Sequence, residues 1–435
     1  MNVAWDYREG SAAGEPGVVI DPAFARVAEV TDAAAVRRVV CAVLGLDPAR
    51  VPVEVIHVSH VPGRELRAVY RLPGDPGLAG PVVRVDLHVP GWERAAERAR
   101  SRAADPECVA GVAAWEGVAW RLPEDERLPA LRGLLAPGAA AALRGWLTDA
   151  PVAGDEAAEL LGYVPRRRAA VRIGGVVAKL GRLGDEADCH RRQAALYGGY
   201  DRGFALPRPL GCHEAVRVES AIPGTGIDAR FAAGDRPDAW LPAVAAAMAA
   251  LHRAPAPQGT PRLRPAGLLD QIAGERLARI TSTLPDLAPR IEALARRLRA
   301  HVPADDGAAA TLHGDLHPAN VLVGEPGLSL IDFDDLRAGP PAHDLATFAG
   351  RLILIGLKEG RGEEAIAAAA SLPGLYRECG GVQIRGDRFA WHLAARVLGR
   401  EVAHGVRRLA PRLPQLATAL LDVADDALAA APPGR

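Results

Sequence analysis

Two separate stretches of the chain share one pattern of polar and apolar runs, a Val-Pro segment followed after a turn by an apolar strand. Val61 to Tyr70 reads VPGRELRAVY and leads, after a turn, into VVRVDLHV at Val82 to Val89. Val164 to Arg172 reads VPRRRAAVR and leads into VVAKL at Val176 to Leu180. Runs of this kind bounded by Pro and Gly predict strands. The sequel repeats too: helical ERAAERARSRA (Glu93 to Ala103) and then GVAAWEGVAWRL (Gly111 to Leu122) in the first stretch, helical DCHRRQAALYGG (Asp188 to Gly199) and then AVRVESAIPG (Ala215 to Gly224) in the second. The pattern predicts two copies of a strand, strand, strand, helix, strand, strand unit.

Beyond Gly224 the apolar spacing becomes that of helices. Asp238 to His252 is Ala-rich and periodic, Leu268 to Leu298 is periodic with an interruption near Pro285, and Arg388 to Leu428 gives further helices broken at Pro411 and Pro414. Thr311 to Leu345 differs: short β-like runs, NVLV and LSLIDF, alternate with Gly, Pro and Asp turns, which predicts a polar loop and hairpin among helices. Functional residues concentrate in such loops. The expected fold class is α+β, two sheet-containing units followed by a mostly helical remainder.

The chain has 435 residues, room for two or three domains at about 150 each. Hydrophobic residues make up 49% and charged residues 24%, the balance of a globular protein. The net charge of -1 gives no general attraction to nucleic acid or anionic lipid, so neither is an expected partner. Five cysteines, Cys41, Cys108, Cys189, Cys212 and Cys379, form no CxxC pair, which argues against a disulfide framework and a thiolate zinc site. Met1 to Gly17 carries Asp6, Glu9 and Glu15 without an apolar run, so no secretory signal is expected there. Leu241 to Leu251 and Leu352 to Leu357 fall short of the roughly 20 residues of a membrane span. The expected location is cytoplasmic. One bias sharpens the picture: of 52 Lys plus Arg residues, only Lys179 and Lys358 are lysine. Arg and Lys are not interchangeable where a compact ammonium meets a point target, so Lys179, inside the apolar strand VVAKL, draws attention and needs an anionic partner.

The loop reads Leu312-His313-Gly314-Asp315-Leu316-His317-Pro318-Ala319-Asn320-Val321-Leu322-Val323, and after a turn Leu330-Ile331-Asp332-Phe333-Asp334-Asp335. A hairpin between these runs returns Asp315, Asn320 and Asp332 to one place. Oxygen donors without thiolates suit Mg²⁺, which keeps phosphate oxygens and water in its shell. An amide and a carboxylate, Asn320 and Asp332, are a set for a metal bridging a triphosphate, and Asp315 is then placed to accept the proton of an attacking hydroxyl.

The pattern H-G-D-L-H-P-A-N followed by I-D-F-D resembles the catalytic loop and metal-binding segment of the aminoglycoside phosphotransferase and choline kinase-like superfamily, small-molecule kinases with a protein-kinase-like fold. The resemblance runs over about Glu159 to Leu354. It implies a bilobal fold with an antiparallel-sheet N-lobe (151–222) and a mostly helical C-lobe (223–435) carrying the acceptor site. It implies Asp315 as catalytic base, Asn320 and Asp332 as magnesium ligands, Lys179 on the nucleotide phosphates, and ATP, or GTP in its place, as donor. Val216 to Gly224 resembles the linker between lobes, where backbone groups near Glu219 and Ala221 would bond the adenine. Asp334 and Asp335 are candidate substrate contacts. The chain departs from the family at Gln193, where a helix glutamate often orients the lysine; the ion pair is expected to be either missing or supplied by Glu186 or Asp188. The first repeat places Arg84 to Asp86 opposite Lys179 and has no counterpart of the Asp315 loop, so residues 1–150 are expected to be a degenerate nucleotide lobe serving as a cap.

Other readings have weaker sequence support. His313 and His317 are four apart, but Gly314 and Pro318 argue against a zinc-binding helix, so both are expected to be structural. Asp332-Phe333-Asp334 matches the DxD of metal-dependent glycosyltransferases. Protein kinases would carry an Arg before the catalytic Asp and a long activation segment. A nucleotide-binding regulator without turnover would not require Asp315, Asn320 and Asp332 together. From Arg351 onward basic residues slightly outnumber acidic ones, which favours a neutral or less cationic acceptor, a sugar, macrolide or other natural product, over an aminoglycoside.

Overall fold

The computed structural model describes residues 21, 23–49, 51–72, 81–88, 91–147, 156–182, 184–198, 203–304, 309–325 and 327–431. Met1 to Gly17 and the boundary expected near residue 150 lie outside the described residues.

After helix α1 (Ala33–Leu44), started by an Asp32 side chain that accepts from the Ala35 amide and stopped by Gly45 at φ 68°, the first unit begins. It comprises β1 (Glu54–Val61), β2 (Glu65–Arg71), β3 (Val82–Leu87), α2 (Trp92–Arg102), β4 (Val109–Val112) and β5 (Gly117–Arg121). Two short helices, α3 (Leu131–Leu135) and α4 (Ala139–Trp146), lead to the second unit: β6 (Ala158–Val164), β7 (Arg168–Ile173), β8 (Val176–Leu180), α5 (Asp185–Gly198), β9 (Pro209–His213) and β10 (Val216–Ser220). The sheet orders are β1-β2-β3-β5-β4 and β6-β7-β8-β10-β9, antiparallel throughout. The same topology occurs twice, as the sequence pattern predicts.

The repeat extends to side chains that the pattern did not reveal. The hairpin turn of the first unit holds Gly63 at φ 67° and that of the second holds Arg166 at φ 62°. In each, the left-handed residue donates its amide to a carboxylate outside the turn, Gly63 to Asp21 Oδ2 at 2.9 Å and Arg166 to Asp125 Oδ2 at 2.9 Å. The residue three before the left-handed one meets the same carboxylate, His60 with Asp21 at 2.9 Å and Tyr163 with Asp125 at 2.5 Å. A non-glycine residue at positive φ is strained, and at Arg166 the Asp125 bond and a 2.8 Å ion pair with Glu126 hold it there.

Register decides what the repeat can do. Ala170 pairs with Lys179 on β8, and the equivalent Arg67 pairs with Asp86 on β3. A carboxylate therefore stands where the second unit has its ammonium. Asp86 is tied to Arg67 and, at 3.3 Å, to Arg84, while Arg84 also meets Asp125 at 3.1 Å and Glu126 at 3.0 Å.

The rest is helical around a polar insert. It runs β11 (Thr225–Gly226), α6 (Ile227–Ala232), α7 (Leu241–Arg253), α8 (Pro265–Ile272), α9 (Glu275–Thr283), α10 (Ala288–Ala300), β12 (Ala310–Leu312), β13 (Val321–Gly324), β14 (Gly327–Leu330), β15 (Arg337–Gly339), α11 (Ala342–Lys358), α12 (Gly362–Glu378), α13 (Gly386–Arg396), a π-helical turn (Val397–Val402), α14 (Ala403–Arg408) and α15 (Leu413–Ala430). The region from Leu268 to Leu298 is broken at Ala273–Gly274 as well as near Pro285, because Gly274 takes positive φ. Helix α11 is apolar around most of its circumference and buried from Ala342 to Gly356, the central helix of this lobe. The fold is α+β and bilobal, with a sheet lobe on a helical lobe and an additional sheet unit before them. None of the helices among the described residues is long and apolar enough to cross a membrane.

The two sheets share a core. Val69 and Val82 of the first, Leu128, Leu131, Leu134 and Leu143 of the connector, and Val171, Ile173 and Val218 of the second form one cluster. Leu131 is fully buried in it. Leu131→Ala is expected to lower the unfolding free energy by about 2–5 kcal/mol in a urea titration. A loss under about 1 kcal/mol would show that the connector is not part of a shared core.

Candidate active site

The loop from His313 to Asn320 is fixed at both ends before any ligand is considered. β12 enters it, paired with β15, and a 3-10 turn at Pro318–Asn320 hands it to the β13–β14 hairpin. The Ile331 amide donates to the Asn320 carbonyl at 3.0 Å, continuing that ladder by one rung, so Asp332 emerges beside Asn320. Asp332 sits at φ 68°, a left-handed conformation that turns the chain sharply into Phe333–Asp335.

Gly314 has to be glycine: its φ is 85°, and a Cβ there would lie 1.8 Å from the Asp335 carbonyl oxygen. Asp344, fully buried in the first turn of α11, accepts from the His313 amide at 2.7 Å and the Gly314 amide at 3.0 Å, with His252 Nε2 at 3.3 Å. It braces the loop and does not cap its own helix. His313 meets the Ile331 carbonyl at 2.8 Å, and burial keeps His317 neutral, its pKa well below the usual value.

Lys179 reaches the same place from β8. Its Nζ lies 2.8 Å from Asp332 Oδ1, 3.0 Å from Asp334 Oδ1 and 3.2 Å from Glu219 Oε1. Opposite it on β10, the fully buried Arg217 meets Glu186 at 3.2 Å, Glu219 at 3.1 Å, the Gln193 side-chain oxygen at 2.5 Å, and Asp334. Within the sheet lobe, the acid that meets Lys179 is thus Glu219 on the neighbouring strand. Glu186, expected in that role, holds Arg217 instead, and Asp188 pairs with the exposed Arg191. Gln193 in the helix accepts from Arg217, whose guanidinium takes up the acids near it.

Burial pushes the Asp332 carboxyl up, but the Lys179 charge and hydrogen bond, with other positive charge including Arg168, together hold it well below the usual range. The network counts four carboxylates, Glu186, Glu219, Asp332 and Asp334, against two cations, a formal excess of two negative charges. Asn320 donates its Nδ2 to the Asp315 carbonyl at 3.1 Å, while its buried Oδ1 accepts from no described residue. An orphaned amide oxygen beside a carboxylate, in a pocket with excess negative charge, fits a hard divalent cation such as Mg²⁺. No group of three or more His, Cys, Asp or Glu side chains able to hold a metal occurs among the described residues, so this pair is a partial shell.

Asp315 faces the helical side. Arg396 Nη2 binds its Oδ1 at 3.0 Å and Arg400 Nη2 its Oδ2 at 2.8 Å, and a buried Glu401 holds Arg396 at 3.2 Å and Arg351 at 2.9 Å. Burial raises the Asp315 carboxyl, yet Arg400 and Arg396 together hold it well below the usual carboxylate value. Sequence reading missed both arginines. Their spacing of four puts them on one helical face, but in a chain whose cations are nearly all arginine no single one stands out. Asp335 pairs with Arg337 at 3.3 Å. At the linker, the Ala221 amide donates to the Gly175 carbonyl at 2.8 Å and the Ser220 amide to the Arg208 carbonyl at 2.8 Å.

Asp344→Asn removes the charge that two loop amides share and should cost about 1.5–3 kcal/mol at neutral pH. Burial raises the Asp344 carboxyl and the His252 hydrogen bond lowers it, with a net value below 3.8. Its stabilisation is therefore present above the unfolded-state value and lost as pH falls through the lower folded value. Urea titrations between pH 3 and 7 should show a shallower acid decline for Asp344→Asn than for wild type; parallel declines would refute this account.

The model of the phosphotransferase enzyme family matches residues 165–382, half of the chain. No curated protein matches it. Among solved structures, a choline/ethanolamine kinase family protein from Mesorhizobium loti aligns at 17% identity over 67% of this chain and 93% of its own, with a TM-score of 0.45. Spectinomycin phosphotransferase in complex with ADP and spectinomycin aligns at 13% identity over 66% and 97%, with a TM-score of 0.48. Choline kinase from Streptococcus pneumoniae aligns at 13% over 67% and 98%, with a TM-score of 0.42. With a family match over half its length, and with Lys179, Asn320 and Asp332 gathered beside the Asp315 loop, the chain belongs to the phosphotransferase enzyme family.

Proposed function

We propose that the protein is a small-molecule kinase that moves the γ-phosphoryl group of ATP to a hydroxyl. The observation that carries this reading is the meeting of Lys179 with Asp332 at 2.8 Å across the two lobes, one residue beyond the hairpin rung that fixes Asn320. Phosphoryl transfer asks a protein for positioning and charge neutralisation more than for covalent chemistry.

Asn320 Oδ1 and Asp332 would hold Mg²⁺, which when bound draws charge from the β- and γ-phosphate oxygens. Lys179 exchanges part of its carboxylate shell for phosphate oxygen. The adenine lies against the linker at Glu219 and Ala221; because the Ala221 amide is already donated to Gly175, base recognition there falls to main-chain carbonyls and to amides further along. Asp315 accepts the hydrogen bond of the acceptor hydroxyl and points its oxygen at the γ-phosphorus. The O–P bond forms, the bond to the β-γ bridging oxygen breaks, and the hydroxyl proton passes to Asp315 as ADP leaves. A carboxylate held so far below its usual value is a weak base, which suits a loose transition state where the proton moves late and orientation comes first. Asp334, bound to both Lys179 and Arg217, is committed to the protein, which argues against a DxD metal pair.

Asp315→Asn should retain nucleotide binding by calorimetry and lose about 10²–10⁴ in kcat for acceptor-dependent ADP release. Chelation of Mg²⁺ should stop wild-type turnover and added Mg²⁺ restore it. An Asp315→Asn variant keeping more than about a tenth of the wild-type rate would exclude this role. Parallel runs with ATP and GTP identify the donor.

A further inference from the structure

In front of Asp334 and Asp335 lies a cleft of about 750 Å³, bounded by the β6–β7 turn, the first sheet, α9 and the segment from the π-helical turn into α14. Its described lining carries eleven arginines and two histidines against five carboxylates. Lys179, Asn320 and Asp332 do not line it, so this charge is additional to the set proposed for nucleotide and metal. A smaller cleft of about 180 Å³ at Asp315 shares Arg276, Asp335, Gly399 and Arg400 with it, so the two are continuous beside the proposed base.

Four arginines from three elements set its character: Arg167 on the β6–β7 turn, Arg276 and Arg279 on α9, and Arg407 on α14. None of them forms a salt bridge with a described carboxylate. Arg276 donates to the Gly399 carbonyl at 3.0 Å and Arg407 to Ser59 Oγ at 3.0 Å. Glu65, the acid beside Arg407, is shared with Arg67 at 3.6 Å and Ser59 at 2.7 Å. Burial first, and then the like charges of Arg400 and Arg279, lower the Arg276 pKa. Partly buried guanidiniums repel more strongly than exposed ones, and a bound anion relieves that repulsion. The guanidinium fork matches carboxylate and phosphate two oxygens at a time. A polycation would meet the same field as repulsion.

We propose that the acceptor is a hydroxyl compound bearing an oxyanion, a phosphate ester or a carboxylate, seated with its charged group among Arg167, Arg276, Arg279 and Arg407 while its hydroxyl reaches Asp315. This rests on the kinase reading above. It gives the first sheet unit a part in binding, because His57, Ser59 and Arg67 form one wall of the acceptor site. Arg400 links the two clefts, since it binds Asp315 and lines the cationic cleft with a side chain 40% exposed.

The test pairs each neutral polyol or sugar with its phosphate ester and its acid: glycerol with glycerol 3-phosphate and glycerate, glucose with glucose 6-phosphate and gluconate, and inositol with its monophosphate. Kanamycin and choline serve as cationic acceptors. ADP release with Mg²⁺ and ATP is read alongside calorimetric binding of each compound to protein saturated with a non-hydrolysable ATP analogue. The expected result is binding and turnover of charged members over their neutral partners by at least about tenfold in kcat/KM, weakening with added salt. Arg279→Gln and Arg407→Gln should each raise the KM or Kd for that compound about tenfold while the Kd for the ATP analogue holds. Phosphate-only or acid-only preference supports the inference and identifies the oxyanion. Turnover of a neutral or cationic acceptor in preference to its charged partner overturns this inference and leaves the kinase reading standing, as does binding of no oxyanion to nucleotide-loaded protein. Failure to bind the ATP analogue overturns the kinase reading and this inference with it.

Discussion

Lys179 and Arg217 are cations on neighbouring strands, with little or no access to water, and everything at the site is arranged to make that tolerable. A buried charge is strongly unfavourable unless paired and hydrogen-bonded. The partners come from three directions: Glu219 from their own sheet, Glu186 from α5, and Asp332 and Asp334 from the helical lobe. The two lobes are joined by ionic bonds at the point where the chemistry would occur. The join is polar, and of its carboxylates Asp332, which meets Lys179 from the helical lobe, is the one the kinase reading asks to take up a ligand.

The sheet repeat was legible because apolar runs, turn residues and the order of elements survive in the sequence even when the residues differ. The positions of the candidate site were legible because each answers to a local constraint: Gly314 to the Asp335 carbonyl, Asn320 to the hairpin rung, Asp332 to the left-handed turn. The partner of Lys179 was not. Pairing across a sheet depends on register, and distance along the chain offers no reason to prefer Glu219 over Glu186. The clamp of Arg396 and Arg400 on Asp315 was hidden for another reason: its residues are common, helical and 81 and 85 positions away. The cationic cleft was fainter still, since net charge averages over a surface whose parts differ in sign.

The first unit keeps the topology of the second and inverts its chemistry. Asp86 stands at the register position of Lys179, and Arg84 fills the interior with its own salt bridges. Such an interior is already satisfied and offers no unpaired cation to a phosphate. What the unit retains is its outer edge, where β1 packs against α14 and Ser59 accepts from Arg407.

The turn between β6 and β7 is usually the freest part of such a sheet, a short loop with water on one side. Here its apex residue is pinned by main chain and side chain to Asp125 and Glu126, which also anchor Arg84 of the preceding unit. This margin of the cationic cleft is thereby tied to an entire additional sheet and its helices. Displacing that apex means breaking its bonds to Asp125 and Glu126 or carrying the neighbouring unit along, so the first unit stiffens one margin of the cleft as well as lining it.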